Sequence, residues 1–207
     1  MLSNKTAMIT GCNKGIGKAI LNLFSENNCN IIACTRKRDV DFIKYCHNLQ
    51  NKYKITIKNY FFDLSNKDEV NLNLKEVVKE NDKIDILVNN AGDISTNSFL
   101  MTPDKNFKDT FQINFFSQVS IMQIISRKML KNKKGSIINI SSISAVDGNP
   151  GRSSYASSKS ALIAQTLVLS REIGRDNIRV NAIAPGLIDT DMLNKNTSKE
   201  IIDSMKN

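Results

Sequence analysis

The sequence predicts an α/β fold: a doubly wound parallel sheet of six strands with helices on both faces. Three observations predict it. Short apolar runs alternate with longer segments of helical spacing along the 207 residues, the pattern of βαβ units. A glycine-rich turn, TGCNKGIG at 10–17, follows the first apolar run directly. No internal repeat, low-complexity tract or linker interrupts the alternation, so 1–207 reads as a single domain.

The elements come in order. TAMIT (6–10) reads as a buried strand, and Ile16, Ile20, Leu23 and Phe24 then recur at helical spacing. NIIACT (30–35) is a second strand, followed by a helix over 39–51. ITIKNYFF (55–62) is a third, followed by a helix over about 66–80. IDILVNN (84–90) is a fourth. A long helix over 103–131 comes next, with Thr102 as its N-cap and Pro103 at the first helical position. GSIINIS (135–141) is a fifth strand, and the helix opening at Ser153–Tyr155 runs to Gly174, its C-terminal cap. IRVNAIA (178–184) is a sixth strand, and a last polar helix is expected over 197–206.

Composition narrows the function classes. No stretch approaches ~20 continuous apolar residues, and MLSNKTAMIT carries no signal-like apolar run. The expectation is a cytoplasmic protein. Cys12, Cys29, Cys34 and Cys46 form no C-x-x-C pair, and the lone His47 adds no ligand cluster, so no metal site is expected. The net charge of +9 would suit nucleic acid or anionic ligands, but the lysines are scattered and no stacking aromatics accompany them. Neither nucleic acid nor membrane is expected as a partner.

Ligands of such sheets bind beyond the carboxyl ends of the strands, so the segment after each strand matters most. Gly11, Gly15 and Gly17 permit a tight turn and close approach of backbone to a ligand. The helix starting near Gly15 would aim its unpaired N–H groups at a pyrophosphate. A plain strand–helix turn is the simpler alternative. Tyr155 and Lys159, four residues apart, share one helical face at the same sheet edge. A free phenol has a pKa near ~10, and a nearby cation would stabilise its anion, giving a usable proton donor or acceptor.

TGxxxGIG near the start, NNAG after the fourth strand and YxxxK after the fifth, in that order, resemble the short-chain dehydrogenase/reductase family over nearly the whole chain. The resemblance implies a Rossmann-type fold and NADP(H)-dependent reduction of a ketone to a secondary alcohol. It implies a catalytic set of Asn114, Ser142, Tyr155 and Lys159. Ser141 competes with Ser142, but neighbours on a strand face opposite ways, and the interval to Tyr155 favours Ser142. Asn114 sits among Phe107, Phe111, Phe115 and Val119, an apolar stripe. It reads either as a structural amide in a bent helix or as the holder of a water that links Lys159 to solvent.

Cofactor contacts implied by the resemblance are Gly11, Asn13, Lys14, Gly15, Ile16 and Gly17 in the first turn, and Thr35 and Arg36 after strand two. Asp63 and Leu64 come after strand three, and Asn90, Ala91 and Gly92 after strand four. Tyr155 and Lys159 join them, with Pro185, Gly186, Ile188 and Thr190 after strand six. Asn89 either borders the adenosine side or holds the central sheet together. An acidic residue after strand two would repel a 2′-phosphate, whereas Arg36 and Lys14 would bind one, so NADP(H) is the expected cofactor. Two solvated surface cations are the alternative. The same resemblance implies hydride transfer from the pro-S face and a homodimer, with a tetramer doubtful.

The substrate is the least determined expectation. PGLIDTDM and NISS are similar to the corresponding segments of 3-oxoacyl-[acyl-carrier-protein] reductases, and a basic surface would suit an acidic carrier. Relatives acting on sugars or other small ketones share these motifs. Another alternative is a C-terminally shortened cofactor-binding protein with little activity. It is raised because the expected sheet lacks the family's last strand and the substrate lid falls at about 186–207.

Overall fold

The computed structural model describes residues 2–196. Six strands form one parallel sheet: β1 (Thr6–Thr10), β2 (Asn30–Thr35), β3 (Ile57–Phe61), β4 (Ile86–Asn89), β5 (Gly135–Ile140) and β6 (Ile178–Ile183). Their order is β3-β2-β1-β4-β5-β6, and every adjacent pair is parallel. The order reverses between β1 and β4, which places the switch-point crevice beyond the carboxyl ends of those strands.

The helices are α1 (Gly15–Glu26), α2 (Val40–Tyr53), α3 (Lys67–Glu80), α4 (Asp104–Phe111), α5 (Ser117–Asn132), the short α6 (Ser144–Asp147), α7 (Ser153–Ile173) and α8 (Asp191–Asn196). The period-2 alternation of the strands sends neighbouring side chains to opposite cores. Ala7, Ile9, Ile31, Ala33, Ile86 and Val88 pack with Leu21, Phe42 and Cys46 of α1 and α2. Met8, Ile32, Leu87, Ile137 and Val180 pack with Leu74, Val77, Ile121, Ile125, Met129 and Leu162 of α3, α5 and α7. Each such aliphatic side chain contributes about 1.5–3 kcal/mol when fully buried. Asp85 ties the amino ends of β1 and β4 together: its carboxylate accepts from the Thr6 N–H at 3.0 Å and pairs with Lys5 and Lys83.

Local capping explains the helix starts. The Asp39 carboxylate accepts from the Asp41 and Phe42 N–H groups, and the Asn66 amide oxygen caps α3 in the same way. Three expectations shift. Thr102 does not cap α4; its hydroxyl donates to the Ser98 carbonyl at 2.8 Å, closing a 3₁₀ turn over Phe99–Met101. Pro103 instead takes the extended N-cap position, and α4 starts at Asp104. The long helix is interrupted: Gln112–Phe116 form a π-helical turn between α4 and α5. Gly174 is the C-cap of α7, as expected, though with right-handed angles (φ −61°), and a 3₁₀ turn carries the chain on to Asn177, which takes the left-handed position (φ 59°). The expected polar helix over 197–206 lies outside the described residues.

Candidate active site

At Gly11, Gly15 and Gly17 the turn after β1 needs glycine for two different reasons. Gly11 and Gly15 have φ of +66° and +52°, open to glycine at little cost. A Cβ on Gly17 would lie 2.3 Å from the Gly11 carbonyl oxygen and 2.5 Å from the Asn90 amide nitrogen. Lys14 stands at the N-cap of α1 without a side-chain cap, and the first turn of α1 holds no acidic residue. Its unpaired N–H groups and positive dipole end suit an anionic ligand, and the glycine turn leaves the backbone bare. These residues fit a dinucleotide pyrophosphate.

The turn after β4 is locked to the turn after β1. The Asn90 amide donates to the carbonyls of Thr10 and Gly11, both at 3.0 Å. The Thr10 hydroxyl accepts from the Asn90 and Ala91 N–H groups, also at 3.0 Å. Asn89 takes the sheet-holding alternative: it donates to Asn139 at 2.8 Å, and Asn139 donates to Thr166 at 2.8 Å. Asp63 and Leu64 follow β3. The Asp63 carboxylate accepts from the Ser65 N–H, and the Leu64 carbonyl accepts from the Ser117 hydroxyl at 2.6 Å. Thr35 is buried at the end of β2, while Arg36 beside it is exposed, as is Lys14.

Asn114, Ser142, Tyr155 and Lys159 are all buried. The π-helical turn places the Asn114 amide inward, where it donates to the Asp93 carbonyl at 2.8 Å and to Ser158 at 3.0 Å. Its oxygen accepts from the Asp93 N–H at 2.8 Å. Its partners are thus the segment after β4 and α7, rather than the backbone of a bent helix. The expected stripe of Phe107, Phe111, Phe115 and Val119 is only half-buried, because Thr110, Asn114 and Gln118 take the inward face.

The two serines lie just beyond β5 and take different partners. The Ser141 hydroxyl donates to the Lys159 carbonyl at 3.0 Å, whereas Ser142 hydrogen-bonds the Tyr155 side chain. Burial pushes the Tyr155 phenol above its ordinary pKa; the Ser142 hydrogen bond and the Arg152 charge pull the other way. Burial also lowers the Lys159 pKa to about 8. The Lys159 ammonium donates to the Ile140 carbonyl at 2.7 Å. A Cβ on Gly92 would lie 3.2 Å from that ammonium and 3.1 Å from the Asn114 oxygen, so Gly92 leaves a gap bordered by both. The i, i+4 spacing does put Tyr155 and Lys159 on one buried face.

The segment after β6 closes the arrangement. The Pro185 carbonyl accepts from the Ile143 N–H at 2.9 Å. Thr190 lies over the glycine turn: a Cβ on Gly15 would meet its methyl at 3.3 Å. Gly186 and Ile188 are exposed beside it. Clefts of about 220 and 430 Å³ lie elsewhere, at the amino edge of the sheet and beside β3. Among the described residues no group of three or more His, Cys, Asp or Glu side chains could hold a metal ion. Sequence reasoning passes over Thr10 and Ser158, although each lies inside a motif it uses, TGCNKGIG or the YxxxK stretch, and over Thr166, which no motif marks.

A doubly wound sheet with a bare glycine turn after β1 and a buried Tyr/Lys pair on the helix after β5 defines an α/β protein of the Rossmann type. The chain belongs to the short-chain dehydrogenase family, a family of oxidoreductases, whose profile matches residues 5–201. Relatives include the 3-oxoacyl-[acyl-carrier-protein] reductase FabG of Chlamydia muridarum, 35% identical over 208 residues, covering 100% of this chain and 81% of the relative. The Thermotoga maritima protein of the same name is 33% identical, covering 94% and 78%. Among solved structures, a putative NAD(P) dependent gluconate 5-dehydrogenase from Beutenbergia cavernae with bound NADP superposes with a TM-score of 0.86 at 25% identity, covering 93% of this chain and 76% of that one. An NAD⁺-bound xylitol dehydrogenase superposes with a TM-score of 0.82 at 28% identity, covering 89% and 71%.

Proposed function

We propose that the chain is an NADP(H)-dependent reductase that converts a ketone to a secondary alcohol, with a 3-oxoacyl thioester on an acidic carrier as the favoured substrate. The observation that carries this reading is the buried cluster of Asn114, Ser142, Tyr155 and Lys159 beside the glycine turn. The bound nicotinamide would supply hydride to the carbonyl carbon. Ser142 orients the carbonyl oxygen, and Tyr155 delivers the proton that this oxygen needs. Lys159 holds a positive charge at the edge of the site. The gap over Gly92, bordered by the Asn114 oxygen and the Lys159 ammonium, supports a water link that returns the proton.

Cofactor choice follows from exposed charge. Lys14 and Arg36 flank the end of β2 and the start of α1, where a 2′-phosphate would meet them. The single domain works as a homodimer, and four unpaired thiols suit a reducing cytoplasm. Reduction of a sugar or polyol-derived ketone is the second reading, favoured by the structural likeness to the gluconate and xylitol dehydrogenases.

The test monitors NADPH absorbance over a substrate panel that includes a 3-oxoacyl thioester and keto sugars. Turnover of the thioester is the expected result. Cofactor binding with no oxidation on any ketone would favour a binding protein instead. Tyr155→Phe should keep NADPH affinity and lose most turnover, since general acid catalysis supplies roughly 10²–10⁴-fold. A near-normal rate in that variant removes Tyr155 from the chemistry.

A further inference from the structure

Gly92 hangs between two buried amides, Asn114 and Gln118, four residues apart around the π-helical turn. Asn114 holds the far side of Gly92, bonding the Asp93 N–H and carbonyl, each at 2.8 Å. Gln118 holds the near side: its amide nitrogen donates to the Ala91 carbonyl at 2.8 Å. The same nitrogen donates to the Ile113 carbonyl at 3.3 Å, inside the π-helical turn. Both partners are carbonyls, so only the donor end of the amide can face them.

The chain up to the Ala91 N–H is fixed without Gln118. The Thr10 hydroxyl takes the Asn90 and Ala91 N–H groups, and the Asn90 amide holds the Thr10 and Gly11 carbonyls. The peptide that joins Ala91 to Gly92 is different. Among the described residues no backbone group bonds its carbonyl, and Gln118 is the side chain that does. That peptide sets where Gly92 sits, and a Cβ there would lie 3.1 Å from the Asn114 oxygen and 3.2 Å from the Lys159 ammonium. Gln118 holds it at a cost, because its own Oε1 is buried and accepts no hydrogen bond among the described residues. An apolar side chain of that length would bury no unpaired oxygen, so the glutamine is there for its donor end.

Resting on the reductase reading above, we propose that Gln118 is a positioning residue: it orients the Ala91–Gly92 peptide and so fixes the gap among Gly92, Asn114 and Lys159 through which the proton returns. It acts through Gly92 rather than on the reacting atoms. The glycine turn and Asn90, which would hold the cofactor, are fixed by other bonds. Loss of the Gln118 donor should therefore slow turnover and leave NADPH binding intact.

The experiment compares the full chain with Gln118→Met, which keeps the length and removes the donor, and Gln118→Glu, which regains one donor when its carboxyl is protonated. In Gln118→Met, kcat for ketone reduction should fall ~10–10²-fold, the scale of a small misplacement at a site. KM for the ketone and NADPH affinity should stay at native values. Burial raises the pKa of a carboxyl, so turnover by Gln118→Glu, relative to the native chain, should recover as pH falls. The charged groups nearby are otherwise placed: the Asp93 carboxylate is exposed, and the Lys159 ammonium is committed to the Ile140 carbonyl. Amide NMR gives a readout independent of turnover, in which the Gly92 signal should shift in Gln118→Met. A native kcat in Gln118→Met, an unmoved Gly92 signal or NADPH affinity falling in step with kcat overturns the proposal. So does a Gln118→Glu chain no faster than Gln118→Met at any pH. Should Gln118→Met fail to fold, a relative turnover of Gln118→Glu that does not change with pH overturns it. A native chain that reduces no ketone refutes the reductase reading instead, with the Gly92 signal still reporting whether Gln118 orients the peptide.

Discussion

Arg36 and Lys159 show how single side chains tie charge to function. Arg36 is exposed at the end of β2, where its planar fork can take a phosphate bidentately. Replacing it by Asp should invert cofactor preference, from NADPH bound at least ~10-fold tighter than NADH, about 1.4 kcal/mol, to the reverse. Paired titrations of the two cofactors check it. Lys159 carries the opposite lesson. Its folded pKa, about 8, lies below the ordinary 10.5, because burial disfavours the charged form. The resulting destabilisation is fully present below about 8 and is relieved as pH rises towards 10.5. Lys159→Met should therefore raise stability at neutral pH, on the order of 1–3 kcal/mol, less the lost Ile140 hydrogen bond. It should abolish most turnover. Denaturant midpoints at pH 7 and pH 10 measure the gain and its disappearance.

At the scale of elements, the glycine turn and the π-helical turn do different work. The turn brings two backbone stretches so close that a methyl at Gly17 meets the Gly11 carbonyl and the Asn90 amide, both fixed by hydrogen bonds. Gly17→Ala should cost ~1–3 kcal/mol through overpacking and weaken NADPH binding. Thermal unfolding and a fluorescence titration report the two effects separately. The π-helical turn rotates Asn114 inward, onto Asp93 and Ser158. Helical periodicity did not locate it, since Phe107, Phe111, Phe115 and Val119 recur every four residues across the turn and read as one continuous helix. The cap expected at Thr102 falls one residue later, at Pro103, because the Thr102 hydroxyl donates to the Ser98 carbonyl instead.

For the whole molecule, the outward face of the segment around the π-helical turn is apolar. Phe116 is 53% exposed, and Leu167 of α7 is 56% exposed. Phe111, Phe115 and Phe116 meet there in T-shaped and tilted pairs, with centroids 5.3–6.3 Å apart. A homodimer through α4, α5 and α7 would cover them. Mass measurement in solution should therefore return twice 23.2 kDa. A monomer at micromolar concentration would leave that face to another role. β6 pairs with β5 alone among the described residues. Among those residues no helix is long and apolar enough to cross a membrane.

The strands at 6–10 and 30–35, the glycine turn and the shared face of Tyr155 and Lys159 are all legible from residue order. Each depends on backbone geometry within a few residues, where side-chain period and conformational freedom leave a readable trace. The partners of the buried polar groups are not legible. Lys159 on Ile140, Asn114 on Asp93 and Ser158, and Arg152 on Thr96 join residues 19 to 56 positions apart. Those pairings exist only once β4, β5 and α7 lie side by side, because a desolvated donor takes whichever acceptor the packing brings within reach.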